Sequence, residues 1–220
     1  MTAMGRLKTS VKGGKRTFAV DPTCFVSLPK SKTIRSLGCV ALASGIKGAA
    51  MLRILKIVLV LSVAAWGLLG ALGNLTDWSG AVKAVTAVTS MATIKGGAES
   101  WQATNSQLLI FIGAAFIPLL KIACGILCLI GANQMWRARA GTAQEFQLAK
   151  SYALSGCAVA IILLFVGWIV IAAVWFELWR SPTLGRSALD TAFRYGGFIA
   201  LIALFVSARD DEPINSVPDP

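Results

Sequence analysis

Four long apolar segments constrain what this chain can fold into. They cover about residues 54–73, 107–132, 152–178 and 193–207, and polar stretches separate them. A helix rises 1.5 Å per residue, so about 20 apolar residues cross a hydrocarbon core of ~30 Å. The first three segments have that length. The fourth has an apolar part of only about thirteen residues, and Arg194 would lengthen it by snorkelling towards the interface.

The pattern predicts an all-α protein: an integral membrane four-helix bundle with up-and-down topology over residues 51–209. Charged residues form 14% of the chain, whereas soluble domains carry about 25%. They cluster between the apolar segments, as expected when those segments lie in lipid. The lipid bilayer is therefore the first predicted partner. Four spans would place both termini of the bundle on the same side of the membrane.

Residues 1–50 differ in composition, with nine Lys and Arg and a single acid, Asp21. They show no helical or strand period, and such a stretch buries too little apolar surface to offset its loss of backbone entropy. We predict a disordered basic extension, in which residues 36–50 could lengthen the first span as a frayed helix. Three interpretations compete: a lipid-binding cytoplasmic extension, a transit peptide, or sequence upstream of a start at Met51, which we favour. Residues 210–220 are predicted to be a disordered tail.

The distribution of Lys and Arg predicts the orientation, because cytoplasmic loops carry the excess. With the N-terminus inside, the inner side holds fifteen of these residues and the outer side five. Without the first fifty residues the difference shrinks to six against five. The bias predicts cytoplasmic N- and C-termini. The net charge of +11 is concentrated beside the membrane, so it favours anionic lipid over nucleic acid as a partner.

The connection between the first two spans, residues 74–106, is polar and contains one weak helical pattern. Asp77 or Ser79 would cap a short amphipathic helix over residues 80–93, lying on the membrane surface. Tryptophan is enriched where a span meets the interface. Five tryptophans flank the predicted spans: Trp78, Trp101, Trp136, Trp175 and Trp179.

A lysine interrupts the second span. Lys121 stands three residues after Pro118, and the two form the candidate intramembrane polar site. A lysine near the middle of a span costs about 2.5–3.5 kcal/mol on insertion scales. Glu177 is excluded as its partner, because the two would lie roughly 20 Å apart along the axis of an up-and-down bundle. Three alternatives stay open: the Ala114 carbonyl, which loses its helical partner to Pro118; an uncharged lysine; and an acid on another subunit.

Small residues at helical spacing predict where the helices pack closely. The chain has five cysteines and no CxxC pair, so we interpret those within the spans as small packing residues rather than disulfide partners. The predicted packing residues are Gly113, Cys124, Cys128 and Gly131 on the second span, and Gly156 and Ala160 on the third.

The sequence contains no histidine, which removes the commonest metal ligand and the usual base of Ser-His-Asp and Cys-His sites. We predict no metal, no cofactor and no catalytic activity. The favoured function is an accessory or assembly subunit of a larger membrane complex, with other membrane-protein subunits as partners. The alternative is a small oligomeric transporter or channel that uses the region around Pro118 and Lys121.

Five stretches from Met51 onward, covering about 150 residues in order, carry a family resemblance: NLTDW, GGAESW, LCLIGANQMWRAR, WFELWRS and TAFRYGGFIALIALF. They resemble a bacterial family of predicted small integral membrane proteins, the domain of unknown function 2165 family. The resemblance implies a four-helix protein of the inner membrane that begins near Met51, and it implies no activity. The family pattern has acids at the positions of Lys121 and Val174, so this chain departs from any acidic proton relay there.

Overall fold

The structure is a computed structural model that describes the backbone of residues 32–210 and the side chains of residues 48–210. The predictions for residues 1–31 and 211–220 lie outside the described residues. The described chain from Cys39 onward belongs to one compact unit, and every contact discussed below lies within it. Its elements are helical, with no strand among residues 32–210. The prediction of an all-α fold is confirmed.

Six α-helices account for most of the described backbone. Helix α5 continues directly as a π-helix, and short 3-10 turns lie at Gly97–Glu99 and Leu178–Arg180. The elements are α1 (Lys32–Thr76), α2 (Trp78–Thr89), α3 (Gln107–Ala138), α4 (Ala143–Ala149), α5 (Ser151–Ile162), its π-helical continuation (Leu163–Trp175) and α6 (Gly185–Ser207).

Among the described residues four helical segments are long and apolar enough to cross a membrane, as predicted: Gly48–Thr76, Gln107–Ala138, Ala143–Trp175 and Gly185–Ser207. Contacts between their ends show that they alternate in direction. Arg53 near the start of the first span bonds to the chain just after α3, and Lys56 bonds to Ala208 just after α6. We call this side of the bundle the α4 end and the opposite side the α2 end.

The fourth span is longer than its apolar residues suggest. Helix α6 has 23 residues, which reach ~34 Å at 1.5 Å per residue. The expectation of a short span counted residues only from Phe193, because the preceding helical turns carry Arg186, Ser187 and Asp190. Those polar turns are nevertheless part of the helix.

Helix α1 begins at Lys32, well before the first apolar segment. Residues 36–50, which were expected to be able to extend the first span, are helical, and the helix begins four residues earlier, so the prediction of disorder is corrected over residues 32–35. The physical reason is that no proline stands between Pro29 and Pro118, and the stretch is rich in Ala and Leu, which favour helix.

Removing residues 1–50 is expected to leave membrane insertion and the thermal stability of the bundle unchanged. The residues next to the truncation site contribute little to packing, since Gly48, Ala50 and Met51 are exposed. The check is the melting temperature of the full chain and of the chain beginning at Met51 in the same detergent. A fall well beyond the 2–4 °C that corresponds to about 1 kcal/mol in a protein of this size would contradict the prediction.

The polar connection contains the predicted short helix. Asp77 caps α2, because its carboxylate accepts a hydrogen bond from the Gly80 N–H at 3.0 Å. The helix ends at Thr89 rather than at residue 93, where the chain turns through Met91 at a φ of 51°.

The third span differs from the single predicted helix over residues 152–178. It begins with α4, which starts at a capping box formed by Thr142 and Glu145. A single turn residue, Lys150, separates α4 from α5 and keeps right-handed helical backbone angles. A capping box at this position explains why the helix begins earlier than the apolar segment does.

The second half of this span is π-helical and also ends earlier than predicted. Its last hydrogen bond joins the Phe176 N–H to the Ile171 carbonyl, five residues back, at 3.0 Å. The i→i+5 pattern still gives the backbone internal partners, as lipid requires. Glu177 then turns the chain at a positive φ of 48°, so the span stops before Pro182, the predicted terminator.

The core lies where α3 and α5 approach closely. A Cβ added to Gly131 would lie 2.6 Å from the Cα of Ala153, and one added to Gly156 would lie 2.9 Å from the Cys128 nitrogen. Both glycines are therefore needed for the two backbones to approach. Cys124, Cys128, Cys157 and Ala160 are fully buried around this contact.

Candidate functional site

The structure places Lys121 of α3 against helix α1. Its ammonium donates a hydrogen bond of 3.4 Å to the Gly70 carbonyl and lies 5.9 Å from the centre of the Trp66 ring. The Ala114 carbonyl is not its partner, which corrects one of the three alternatives for this lysine. Sequence reasoning missed the possibility that Lys121 finds its hydrogen-bond partner on another helix of the same chain.

Two glycines on α1 make room for this contact. A Cβ added to Gly70 would lie 3.2 Å from the Lys121 ammonium nitrogen, and one added to Gly67 would lie 2.7 Å from the Lys121 carbonyl. The glycines therefore let α1 lie directly on the turn of α3 that carries the lysine. The sequence signal was the pair of glycines three residues apart in the first span.

Lys121 also lines a cavity of about 480 Å³. This volume lies within the 300–1,000 Å³ typical of small-molecule sites. The wall is formed mainly by apolar side chains of α2, α3 and the π-helix. Its polar members are Asn74 at the end of α1, Thr89, Thr104 and Lys121, and among the described side chains Lys121 is the only charged one that lines it.

The π-helix presents one continuous face to this cavity. Leu163, Trp168, Ala172 and Phe176 line it at steps of four or five residues, which matches the wider turn of an i→i+5 helix. In an α-helix with 3.6 residues per turn these positions would drift around the axis. The π-helix is thus part of how the cavity is built.

The other predicted polar residue, Pro118, is buried in α3 and is not among the residues that line the cavity. The structure therefore does not bring Pro118 and Lys121 together as one site. Gly113 lines the cavity and also lies close to α2, since an added Cβ there would lie 3.2 Å from a methyl carbon of Val85. The remaining predicted packing residues lie at the contact between α3 and α5.

The predicted interfacial tryptophans lie at both ends of the bundle. Trp136 is at the α4 end, where the Arg139 guanidinium stacks on its ring at 4.1 Å. At the α2 end, Trp101 and Trp175 form an edge-to-face pair with centroids 5.4 Å apart. Trp78 packs against Phe111 in the same geometry, and Trp179 is exposed.

Glu177, the acid excluded as a partner of Lys121, forms an ion pair with Arg180. That pair lies in the turn after the π-helix, at the α2 end. Among the described residues no group of His, Cys, Asp and Glu is arranged to hold a metal ion. Cys124, Cys128 and Cys157 are buried free thiols.

A second polar site lies at the α4 end, and we call it the helix-end cluster: Arg53, Lys56, Lys150 and Asp210. The Lys56 ammonium contacts an Asp210 carboxylate oxygen at 3.0 Å, and Lys150 forms an ion pair with the other oxygen. Both ammonium groups donate to the Ala208 carbonyl at 2.8 Å. The side chains of the two lysines and Asp210 are at most 6% exposed.

The cations of this cluster lie where helices end. Arg53 donates to the carbonyls of Arg139 and Gly141, at 3.0 and 2.7 Å, directly after α3. The carbonyls at a helix C-terminus lack helical partners and carry partial negative charge. A cation there satisfies the carbonyls and the helix dipole together. The centre of the Phe146 ring lies 5.0 Å from the central carbon of the Arg53 guanidinium and 5.3 Å from the Lys150 ammonium nitrogen.

Sequence reasoning did not find this cluster. Arg53, Lys56 and Lys150 were counted only as loop cations that set the orientation, yet each is buried. The predicted disordered tail is corrected at its first residue, because Asp210 is held by two lysines. The available signal was an acidic stretch directly after the fourth span, at the end of the bundle where basic residues flank the first and third spans.

With both sites located, the comparisons with known proteins identify the family. A profile for predicted small integral membrane proteins, the domain of unknown function 2165 family, matches residues 52–209. The chain belongs to this family. No curated protein and no solved structure matches it. In this family member Lys121, its cavity and the three cations of the cluster lie within the matched segment, and Asp210 follows directly after it.

Acid is expected to destabilise this member of the domain of unknown function 2165 family through Asp210. Burial opposes ionisation of its carboxyl, but hydrogen bonds and charges from Lys150 and Lys56 outweigh burial and lower its pKa below the ordinary value. A carboxyl whose folded pKa is depressed stabilises the fold above its unfolded pKa and loses that effect as pH falls through the folded pKa. Stability should therefore fall below about pH 4.

The measurement is the melting temperature in detergent between neutral pH and about pH 3, for the wild type and Asp210→Asn. The variant lacks the titrating group, so its melting temperature should fall less steeply in acid. If the melting temperatures of the two proteins fell equally steeply with decreasing pH, the assignment to Asp210 would be contradicted.

Proposed function

We propose that this integral membrane protein is a non-catalytic accessory or assembly subunit of a larger complex in a bacterial inner membrane. Its N- and C-termini are proposed to be cytoplasmic, which puts the helix-end cluster on the cytoplasmic side and α2 outside. The excess of Lys and Arg supports this orientation. The lack of histidine in the sequence supports the absence of catalysis.

The observation that carries the proposal is the exposed face of α6. This helix has the lowest mean hydropathy of the four spans, and it is also the least covered. Only 17% of its most apolar stretch is buried inside the protein, against 28–39% in the other spans. A weakly apolar helix that is mostly exposed is better accommodated by a protein neighbour than by lipid.

Charged side chains lie on that exposed face. Asp190 and Arg194 are four residues apart and both are exposed. Arg194 is fourteen residues before Ala208, ~21 Å along the helix, whereas α1 runs twenty residues or ~30 Å from Lys56 to Thr76. Measured from the α4 end, Arg194 therefore lies short of the level that α1 reaches at Thr76, within the length of the bundle. Charged residues within spans usually face a protein interior, which supports a partner helix with a complementary polar group.

The test is site-specific photo-crosslinking in native membranes. A photoreactive residue at Phe198, which is 67% exposed on α6, should give adducts with another membrane protein. The matched control is Leu119 on α3, which is 62% exposed and lies on an apolar face, and should label lipid alone. Arg194→Leu should reduce the protein adducts from Phe198.

Two outcomes would overturn the proposal. Lipid adducts alone from both positions would indicate that α6 faces the bilayer. Adducts of Phe198 exclusively with a second copy of the chain would indicate a homo-oligomer instead of an accessory subunit.

A second candidate is a small oligomeric transporter or channel that uses the region around Pro118 and Lys121. One observation favours it: Lys121 lines a cavity that an amphipathic helix covers at the α2 end. Flux measured in liposomes should then disappear in Lys121→Met. Unchanged flux in that variant, or none in the wild type, would remove this candidate.

A further inference from the structure

We infer that the cavity beside Lys121 binds one single-chain amphiphile with a carboxylate head, a long-chain fatty acid, and that the Lys121 ammonium and the Asn74 amide hold the carboxylate. The inference does not depend on the accessory role, because it concerns the cavity between α2, α3 and the π-helix and not the exposed face of α6.

The head-group site follows from the polar residues on the wall. Lysine has three N–H donors, and Lys121 has one hydrogen bond within the described residues, the 3.4 Å contact to Gly70. Asn74 lies four residues after Gly70, which is one turn further along the same face of α1. Both Lys121 and Asn74 line the cavity. A carboxylate between them would accept from the ammonium with one oxygen and from the amide with the other.

The charge of the wall selects the kind of head group. Lys121 supplies a single positive charge, and no other charged residue of the part of the chain that the structure describes lines the cavity. A carboxylate carries one negative charge, whereas a phosphate monoester carries −1.5 to −2 at neutral pH and three strong acceptor oxygens. The site therefore matches a carboxylate. In a wall of low dielectric, the pairing of one ammonium with one carboxylate leaves no charge uncompensated.

The rest of the wall matches an alkyl chain. Apart from Lys121, Asn74 and the two threonines, Thr89 and Thr104, the cavity is lined by glycine and by aliphatic and aromatic side chains. Its volume of about 480 Å³ lies in the lower part of the range for small-molecule sites, which favours one chain over the two of a phospholipid. The π-helix contributes Gly167 and Trp168 to this part of the wall.

The cavity is reachable from the bilayer. Leu109, Ile112 and Phe116 of α3 line it and are also about half exposed. A fatty acid dissolved in the membrane would therefore enter sideways past these residues of α3 without first crossing water.

The test is electron paramagnetic resonance of doxyl-labelled stearic acid with the full-length protein in phosphatidylcholine nanodiscs. The wild type should give a saturable immobilised signal that unlabelled oleate displaces. Lys121→Met, which keeps the length of the side chain and removes the charge, should weaken binding about ten- to a hundredfold, as expected for one charged hydrogen bond. The doxyl-labelled methyl ester has no charge, so it should bind the wild type as weakly as the labelled acid binds Lys121→Met.

Two further variants distinguish the contribution of the cavity volume to binding from the contribution of the Lys121 charge. Gly167→Leu should abolish the immobilised signal by filling the cavity that Gly167 lines, and the first added atom fits, since a Cβ there meets Leu163 at 3.8 Å, an ordinary contact distance. Lys95→Met, at an exposed lysine that does not line the cavity, is the matched control and should bind like the wild type.

Three results would overturn the inference: no saturable immobilised component, equal binding of the acid and its methyl ester, or unchanged affinity in Lys121→Met. If Lys121→Met does not fold, the ester and Gly167→Leu decide the question with the lysine intact.

Discussion

Asp210→Asn is expected to destabilise the bundle by about 3–5 kcal/mol, the usual cost of removing one partner from a buried ion pair. The asparagine amide still contacts Lys56 and Lys150, but it carries no negative charge to offset their buried ammonium groups. The measurement is the free energy of unfolding by titration with a denaturing detergent in mixed micelles. Asp190→Asn is the matched control, because Asp190 is exposed, and its loss should change stability by less than about 0.5 kcal/mol.

A double variant tests whether the cost arises from uncompensated charge. Lys150→Met in the Asp210→Asn background removes one of the two stranded ammonium groups and replaces it with an apolar side chain of similar length. The double variant should therefore be more stable than the sum of the two single changes predicts. Strict additivity would show that the two residues act independently, and the ion pair would then have no role in stability.

Gly131→Ala is expected to cost about 1–3 kcal/mol through overpacking. The new methyl group would meet the backbone of Ala153, which a rotamer change cannot move, so α3 and α5 must separate. The measurement is again unfolding in mixed micelles, together with the efficiency of crosslinking between cysteines placed on the two helices. Gly197→Ala on α6 is the matched control, since an added Cβ there has no neighbour within 4 Å.

Gly156→Ala should behave similarly, and the two changes should not be additive. Gly131 and Gly156 face each other's helix near the same crossing, so the separation forced by one methyl group makes room for the other. A double variant as costly as the sum would contradict a shared crossing point. Gly131→Ala as stable as the wild type would contradict the close approach itself.

Features that depend on local sequence could be predicted. The lengths of the apolar segments predicted four spans. The alternation of these segments with polar connections predicted the up-and-down topology. The cap of α2 was predicted to be Asp77 or Ser79, because the side-chain oxygen of either residue can accept from the free N–H groups of a helix start, and the structure selects Asp77. Depth along the helices also sufficed to exclude a Lys121–Glu177 pair, because the rise per residue fixes axial position.

Features that depend on which faces of the helices pack against each other could not be predicted. Lys56 and Asp210 are 154 residues apart in sequence, and Arg53 and Gly141 are 88 apart. Nothing in the surrounding residues distinguishes these buried cations from solvated ones at a span boundary. The contact between Lys121 and Gly70 likewise requires the rotation of α1 against α3. The π-helix has no known sequence signature here, since its residues are as compatible with an α-helix.

The helix-end cluster makes α6 mechanically asymmetric. Within the described residues, side chains from the other helices donate hydrogen bonds to Ser207, Ala208 and Asp210 alone in this region of the chain. The buried residues Ala192 and Ile199, nearer the α2 end, are apolar. A force applied to the C-terminus therefore loads the lysine–aspartate contacts before any of the helix leaves the bilayer. A force applied at Gly185 meets side-chain packing first and peels the helix away turn by turn. An extraction machine that grips the C-terminal tail would face the stronger of the two attachments.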